Sequence, residues 1–190
     1  MTNLSAYKHS LLLFIHPKQT WKSISTEDHS PKQLFLSLLL PLLFLMAICN
    51  FSGYQLFDQN PSQHINMHLF SASATFLFSI LSIYISTLLV SKFAQFEDKK
   101  DRFNRAFTLI GFSFIPGILF NSLAFLIPTI NYLTILSLFS FYILYKGISP
   151  ILSIPDDKKS GYFTFILIGL LSIYAVLGAF FIGIASLMGF

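Results

Sequence analysis

The chain has 190 residues, 54% of them apolar and 11% charged, whereas a soluble domain carries charge at roughly a quarter of its positions. That balance, with a mean hydropathy of +0.69, excludes a water-soluble fold: one core of this size cannot hide so many Leu, Ile and Phe side chains, while lipid solvates them at no hydrophobic cost. The net charge of +4 lies in short basic runs beside apolar segments, a pattern for anionic lipid headgroups rather than nucleic acid, since no recognition helix or base-stacking module is visible.

Residues 1–30 read as a cytoplasmic segment. The run Leu11–Ile15 is short and ends in His16-Pro17-Lys18 without a small-residue cleavage site, so no signal peptide is expected. Leu13, Pro17, Trp21 and Ile24 recur at helical spacing, with Lys18 and Lys22 on another face. Interfaces favour Trp. This predicts a short amphipathic helix, starting at Pro17, that lies on the inner leaflet with Pro17, Trp21, Lys18 and Lys22 as its interfacial anchor. Packing against the bundle's own cytoplasmic end and a partner-binding face are the alternatives.

Residues 31–190 read as an all-α polytopic transmembrane bundle of five spans. Ser30-Pro31 supplies a helix start, and span one covers about 33–54, with a kink expected at Pro41. Span two runs from about 69 to 90; some 22 residues at 1.5 Å each reach about 33 Å, enough for the hydrocarbon layer. A charged loop from Lys92 to Arg105 follows. Span three covers 106–126, and Pro116-Gly117 should break its hydrogen-bond ladder. Span four, 132–146, is short and should stop at Gly147 in a left-handed conformation. Span five runs over 162–188. Residues 106–146 are read as two full crossings, with a re-entrant hairpin as the alternative.

The twelve Lys and Arg residues alternate by loop. Lys8, Lys18, Lys22 and Lys32 precede span one; Lys92, Lys99, Lys100, Arg102 and Arg105 follow span two; Lys146, Lys158 and Lys159 follow span four. The other connections and the tail hold none. The positive-inside rule then places the N-terminus in the cytoplasm and the C-terminus outside, in a multi-pass protein of the cytoplasmic (inner) membrane.

Several features of the spans are candidates for function. Ser71, Thr75, Ser79, Ser82 and Ser86 form a small-polar stripe on span two, expected as a helix-packing face, with a solute path as the alternative. Ala175, Ala179 and Gly183 form a small-residue run on span five, expected to pack inside the monomer or between copies. Pro116 and Asn121 make a candidate polar break, since Pro116 leaves the carbonyl near Phe112 without its usual partner. His64 and His68 stand four apart and could hold a metal with Asp58, but Asp58 is distant in sequence and no Glu follows His64; a solvated helix start is the preferred reading. No metal, cofactor or catalytic residue is expected: there is no Gly-rich phosphate loop, no GxSxG and no close Cys–His arrangement, and the single Cys49 excludes an intrachain disulfide.

Two stretches carry a family likeness. One is Ile15-His16-Pro17-Lys18-Gln19-Thr20-Trp21-Lys22-Ser23-Ile24, followed by Ser30-Pro31. The other is Tyr142-Ile143-Leu144-Tyr145-Lys146-Gly147-Ile148-Ser149-Pro150, then Ile154-Pro155-Asp156-Asp157-Lys158-Lys159-Ser160-Gly161-Tyr162. Together they resemble the bacterial members of the Yip1 family, in which a P-x-x-x-W segment precedes the spans and a Tyr-rich span four ends in a Gly-x-x-Pro turn before an acidic-basic loop. Pro17 and Trp21 match the first pattern; Tyr142, Tyr145, Gly147, Pro150 and Pro155 match the second, as a cytoplasmic turn motif. The resemblance implies a five-span α-helical fold with a cytoplasmic N-terminus. Eukaryotic relatives act in vesicle traffic and membrane shaping and associate with small GTPases, but this chain lacks their long acidic arm. The turn is expected to lie beside the Trp21 segment.

The resulting expectation is a non-enzymatic membrane protein that organises lipid or partner proteins. Its partners would be membrane lipids, through anionic headgroups on the cytoplasmic face, and a second copy or another membrane protein. The alternative is a small permease or lipid-handling protein that uses the Ser/Thr stripe and the Pro116 break. A polar cavity reaching midway, lined by Ser79, Ser82 and Asn121, would favour transport; a dry, packed interior would favour organisation.

Overall fold

The computed structural model describes residues 3–27, 30–94 and 98–189. The parts of the expected N-terminal segment at 1–2 and 28–29, and of the expected charged loop at 95–97, lie outside the described residues. Every regular element among the described residues is helical. Two short helices, α1 (Asn3–Ile15) and α2 (Pro17–Thr26), precede five long ones: α3 (Pro31–Phe57), α4 (Ile65–Ser91), α5 (Lys99–Leu126), α6 (Pro128–Leu152) and α7 (Lys159–Leu187). The shortest of the five has 25 residues, about 37 Å at 1.5 Å per residue, so each can cross a hydrocarbon layer of about 30 Å.

Local chemistry sets these boundaries. Pro31 occupies the first turn of α3, where its missing N–H costs nothing. Pro41 brings no N–H to the Ser37 carbonyl one turn earlier. The helix absorbs this in a π-helical turn, Phe35–Leu39, and the Tyr7 hydroxyl, reaching from α1, donates to the Ser37 carbonyl at 2.8 Å. Tyr7→Phe should therefore cost about 0.5–1.5 kcal/mol. It should cost less in a Pro41→Ala background, where a backbone N–H returns; thermal unfolding of the four proteins of that cycle checks this.

Helix α5 starts earlier than the expected span, inside the charged stretch. Asp98 caps it, its side chain accepting from the Lys100 N–H at 2.9 Å. Pro116 is buried inside α5 and does not break it. The adjacent Gly117 N–H donates to Ser140 Oγ of α6 at 2.9 Å, tying this part of α5 to the neighbouring helix. Helix α6 is longer than the expected 132–146. It opens with a 3-10 stretch over Pro128–Leu138, kinked at Ile130, where β-branched Thr129, Ile130, Thr134 and Ile135 resist α geometry. It also runs through Gly147 and Pro150 to Leu152; its left-handed C-cap is Ser153, at φ 57°. Gly147 is thus not the stop, and the turn before α7 is built from residues 153–158.

Helix α5 is the centre of the bundle: it packs against α3, α4 and α6, and more of it is buried than of any other long helix. Helices α5 and α6 run antiparallel along their length, with Asn121 beside Ser137, Gly117 beside Ser140 and Leu109 beside Gly147. That register makes a hairpin of two long helices, each long enough to cross. Helix α7 is the most peripheral. It packs on α4 and α6, and its buried residues, Ile166 and Leu170, lie toward its start. There Leu89 of α4 fills the space over Gly169, Tyr162 meets Phe93 at 5.9 Å, and Phe163 meets Tyr145 at 5.1 Å. Further along, Gly178 and Gly183 have no neighbour over them. The expected internal packing of Ala175, Ala179 and Gly183 does not occur, since all three are exposed.

Candidate functional site

The twelve Lys and Arg residues gather at one end of the bundle, and α1 and α2 lie across that end. Helices α1 and α2 are tied by His9 Nε2 and Glu27 Oε1 at 2.9 Å, and Arg105 of α5 donates to the Ser25 carbonyl at 2.7 Å. Trp21 is 0% exposed, so it is not a lipid-surface anchor. Its indole N–H donates to the Ile143 carbonyl at 3.0 Å, and its ring meets Phe112 edge-on at 6.2 Å. Gly147 makes the slot: a Cβ there would stand 2.7 Å from Trp21 Cε2 and 2.9 Å from Cζ2. The two stretches that carried the family likeness therefore touch each other.

The rest of the expected anchor divides. Leu13, Trp21 and Ile24 face the protein, Pro17 is half-buried, and Lys18 and Lys22 are exposed. Exposed apolar surface at this end belongs to α1, at Leu11 and Ile15, a helix the sequence reading did not separate. Tyr142 and Tyr145 stand on α6, within the expected span four. Lys146 lies 5.4 Å from the Tyr142 ring and Lys159 4.5 Å from that of Tyr145, within cation–π range. Pro150 is inside α6, and Pro155 is exposed in the connection that follows.

Toward the opposite end, α7 stands away from α5 and leaves a partly open cavity of about 650 Å³, within the size range of ligand sites. Its walls are mostly apolar: Leu43 and Met46 of α3, Phe78 of α4, Phe114 of α5, Tyr174 and Phe181 of α7. Phe78 and Tyr174 meet at 5.5 Å, and Phe78 and Phe181 at 6.0 Å, forming an aromatic side. A polar seam runs through the lining, made of Ser71, Thr75 and Ser79 of α4, Asn121 of α5, and Ser137 and Ser140 of α6. Ser137 donates to Asn121 Oδ1 at 3.1 Å, and Ser79 donates back to the Thr75 carbonyl at 2.7 Å. The expected stripe on α4 is thus split. Ser71, Thr75 and Ser79 line the cavity, whereas Ser82 and Ser86 are buried in packing and their hydroxyls have no hydrogen-bond partner among the described residues.

At the far edge of the cavity, His68 is 0% exposed. It is not a solvated helix start, and it stacks on Tyr54 at 5.3 Å. Asp58 is close to both histidines: its Oδ2 is 2.7 Å from His64 Nδ1 and 2.9 Å from His68 Nε2. The Asn60 N–H, donating to Asp58 Oδ1 at 3.0 Å, and then the His64 ring hold this carboxyl below the usual carboxylate range. The residues missed from sequence, Gln55 and Tyr54, left a weak signal: they lie one turn before Asp58, and Asn60-Pro61 is a turn that folds Asp58 back over the next helix.

Five long apolar helices, one of them buried at the centre, with all the Lys and Arg residues at one end, define a multi-pass α-helical membrane protein. The Yip1 domain matches residues 11–180, and the chain belongs to that family, whose membrane proteins are not catalytic enzymes. No curated protein and no solved structure matches the chain.

Proposed function

We propose that this protein is a non-enzymatic organiser of membrane lipid that holds a lipid chain in the cavity between α4, α5, α6 and α7. The observation that carries this reading is the composition of that cavity: its walls are largely Leu, Met and Phe, and the hydroxyls and the Asn121 amide run along them as a seam. Ser79 and Asn121 line the cavity but Ser82 does not, so it falls short of the polar path that would favour transport, and a mostly apolar lining suits an alkyl chain with an ester or hydroxyl group better than a hydrated solute. The basic end, with Lys18 and Lys22 exposed and the rings of Tyr142 and Tyr145 beside Lys146 and Lys159, suits anionic headgroups of the inner leaflet. That end is cytoplasmic by the positive-inside rule, in the inner membrane of a cell.

Gly178→Leu tests this directly. Gly178 lines the cavity and has nothing within 4 Å of an added Cβ, so a leucine fills the space without a clash at its first carbon. It also removes a helix glycine, worth up to about 1 kcal/mol. The variant should be as stable as wild type or more so, yet lose the lipid that copurifies with wild type in native mass spectrometry. Equal lipid content in the two proteins would overturn the reading. Lipid-free wild type that renders vesicles permeable to small solutes would transfer the cavity to the permease reading, which its Ser71, Thr75 and Ser79 row favours.

A further inference from the structure

We infer that Asp58, His64 and His68 form a binding site for one divalent transition-metal cation of the zinc class, with two imidazole nitrogens and one carboxylate oxygen as ligands. The ligand atoms all lie within 4.8 Å of one another. This inference goes beyond the lipid reading, and its readout needs no lipid.

One oxygen, Asp58 Oδ2, faces both rings. The other, Oδ1, is engaged by the Asn60 N–H, which fixes the carboxylate and leaves Oδ2 pointed at the histidines. His68 Nε2 is fully buried. Although it lies 2.9 Å from Asp58 Oδ2, it has no aligned hydrogen bond. A fully buried ring nitrogen that faces a carboxylate oxygen without hydrogen-bond alignment is poorly satisfied; a cation between the three groups would engage it directly. Atoms bound tetrahedrally at 2.0–2.2 Å stand about 3.4 Å apart, so the two Asp58–histidine spacings of 2.7 and 2.9 Å open by roughly half an ångström when a metal enters between them.

The surroundings fit a metal ligand as well. Tyr54 stacks on the His68 ring at 13° and sets its plane. Gln55 Nε2 lies 2.8 Å from His68 Nδ1. Ligating histidines donate their second N–H to an oxygen, and the Gln55 amide, turned end for end, offers Oε1 at that position. Nitrogen and oxygen donors in a set of three favour zinc, cobalt or nickel over calcium or magnesium, and leave one position for water. The metal would join the connection after α3 to the first turn of α4.

The test uses the full chain in detergent, free of any polyhistidine tag and stripped with chelator. Titration with Zn2+ by calorimetry, and with Co2+ by its visible ligand-field absorption, should give one equivalent. The exposed His64 carries the main variant, because a substitution at buried His68 risks the fold. His64→Ala and Asp58→Asn should each weaken binding by more than Gln55→Ala, which removes an outer partner and should cost about 10- to 100-fold. His16→Ala, at the basic end, should change nothing. Absence of saturable binding in the wild type, or binding that survives both His64→Ala and Asp58→Asn, would overturn the inference.

Discussion

Trp21→Ala is expected to destabilise the protein by about 3–5 kcal/mol, the usual cost of removing a large buried aromatic side chain. Its ring is fully buried against Phe112 and the bare backbone of Gly147, and its N–H is spent on the Ile143 carbonyl. Alanine loses all of these contacts and leaves a void that α2 and α6 cannot both close. Trp21→Phe should cost less, because it keeps most of the ring and forfeits one hydrogen bond worth about 1 kcal/mol. Gly147→Ala attacks the same joint from the other side: its Cβ meets Trp21 and Leu109, an overpacking of about 1–3 kcal/mol. Unfolding in detergent, followed by fluorescence or by protease access to the segment before α3, separates the three variants. Unchanged stability and protection in Trp21→Ala would return α2 to the lipid surface.

That lipid-surface role is what the sequence implied, and the reason for the difference is physical. A helix stripe of Leu13, Trp21 and Ile24 between lysines has the same pattern whether it meets lipid or protein, because both are apolar. Deciding between them required knowing that Gly147, 126 positions later, leaves a slot for an indole. The sequence carried both halves of this contact as a likeness to one family and could place both near the membrane on the basic side. It could not show a glycine serving as a socket rather than a helix stop.

The long helices were legible because lipid demands long uncharged runs, and the basic loops between them alternated without exception. Their ends were less so. Polar residues at Lys99–Arg105 and His68 read as loop, but α5 and α4 begin within them: Asp98 caps the start of α5, and His68 is buried on α4 against Tyr54. Pro116 read as a break because a proline frees a carbonyl; the helix instead continues through it, buried in the bundle, with the next amide, Gly117 N–H, donating to Ser140 of a neighbour. The cavity was half visible. Ser79 and Asn121 were marked, but Ser82 faces packing, and nothing in the α7 sequence announced that it packs near Gly169 and stands off near Gly178. The three residues Asp58, His64 and His68 were named together from sequence, but a turn of unknown direction separated the carboxylate from the i, i+4 pair, so a solvated helix start was the preferred reading.

The second large effect belongs to Gly53. A Cβ there would fall on the Phe125 carbonyl oxygen, with Phe125 C at 3.0 Å and Leu126 Cα at 3.3 Å. The obstacle is backbone near the end of the central helix, which cannot swing aside as a side chain would. Such close approach is what small residues permit between membrane helices. Gly53→Ala should therefore destabilise by about 1–3 kcal/mol, and Gly53→Val by more. Gly183→Ala, also on a long helix but with open space over it, should be neutral or stabilising by up to about 1 kcal/mol through helix propensity. The opposite signs of one chemical change at two glycines, read by thermal unfolding of the purified proteins, test whether α3 and α5 touch backbone to backbone. Gly53 directly precedes Tyr54 and Gln55, the two residues that hold the His68 ring. A shift of this helix end should therefore also loosen the histidine cluster, visible as a changed His68 imidazole resonance in Gly53→Ala and an unchanged one in Gly183→Ala. Equal stability of the two alanine variants would mean that the two helices stand further apart than this packing requires.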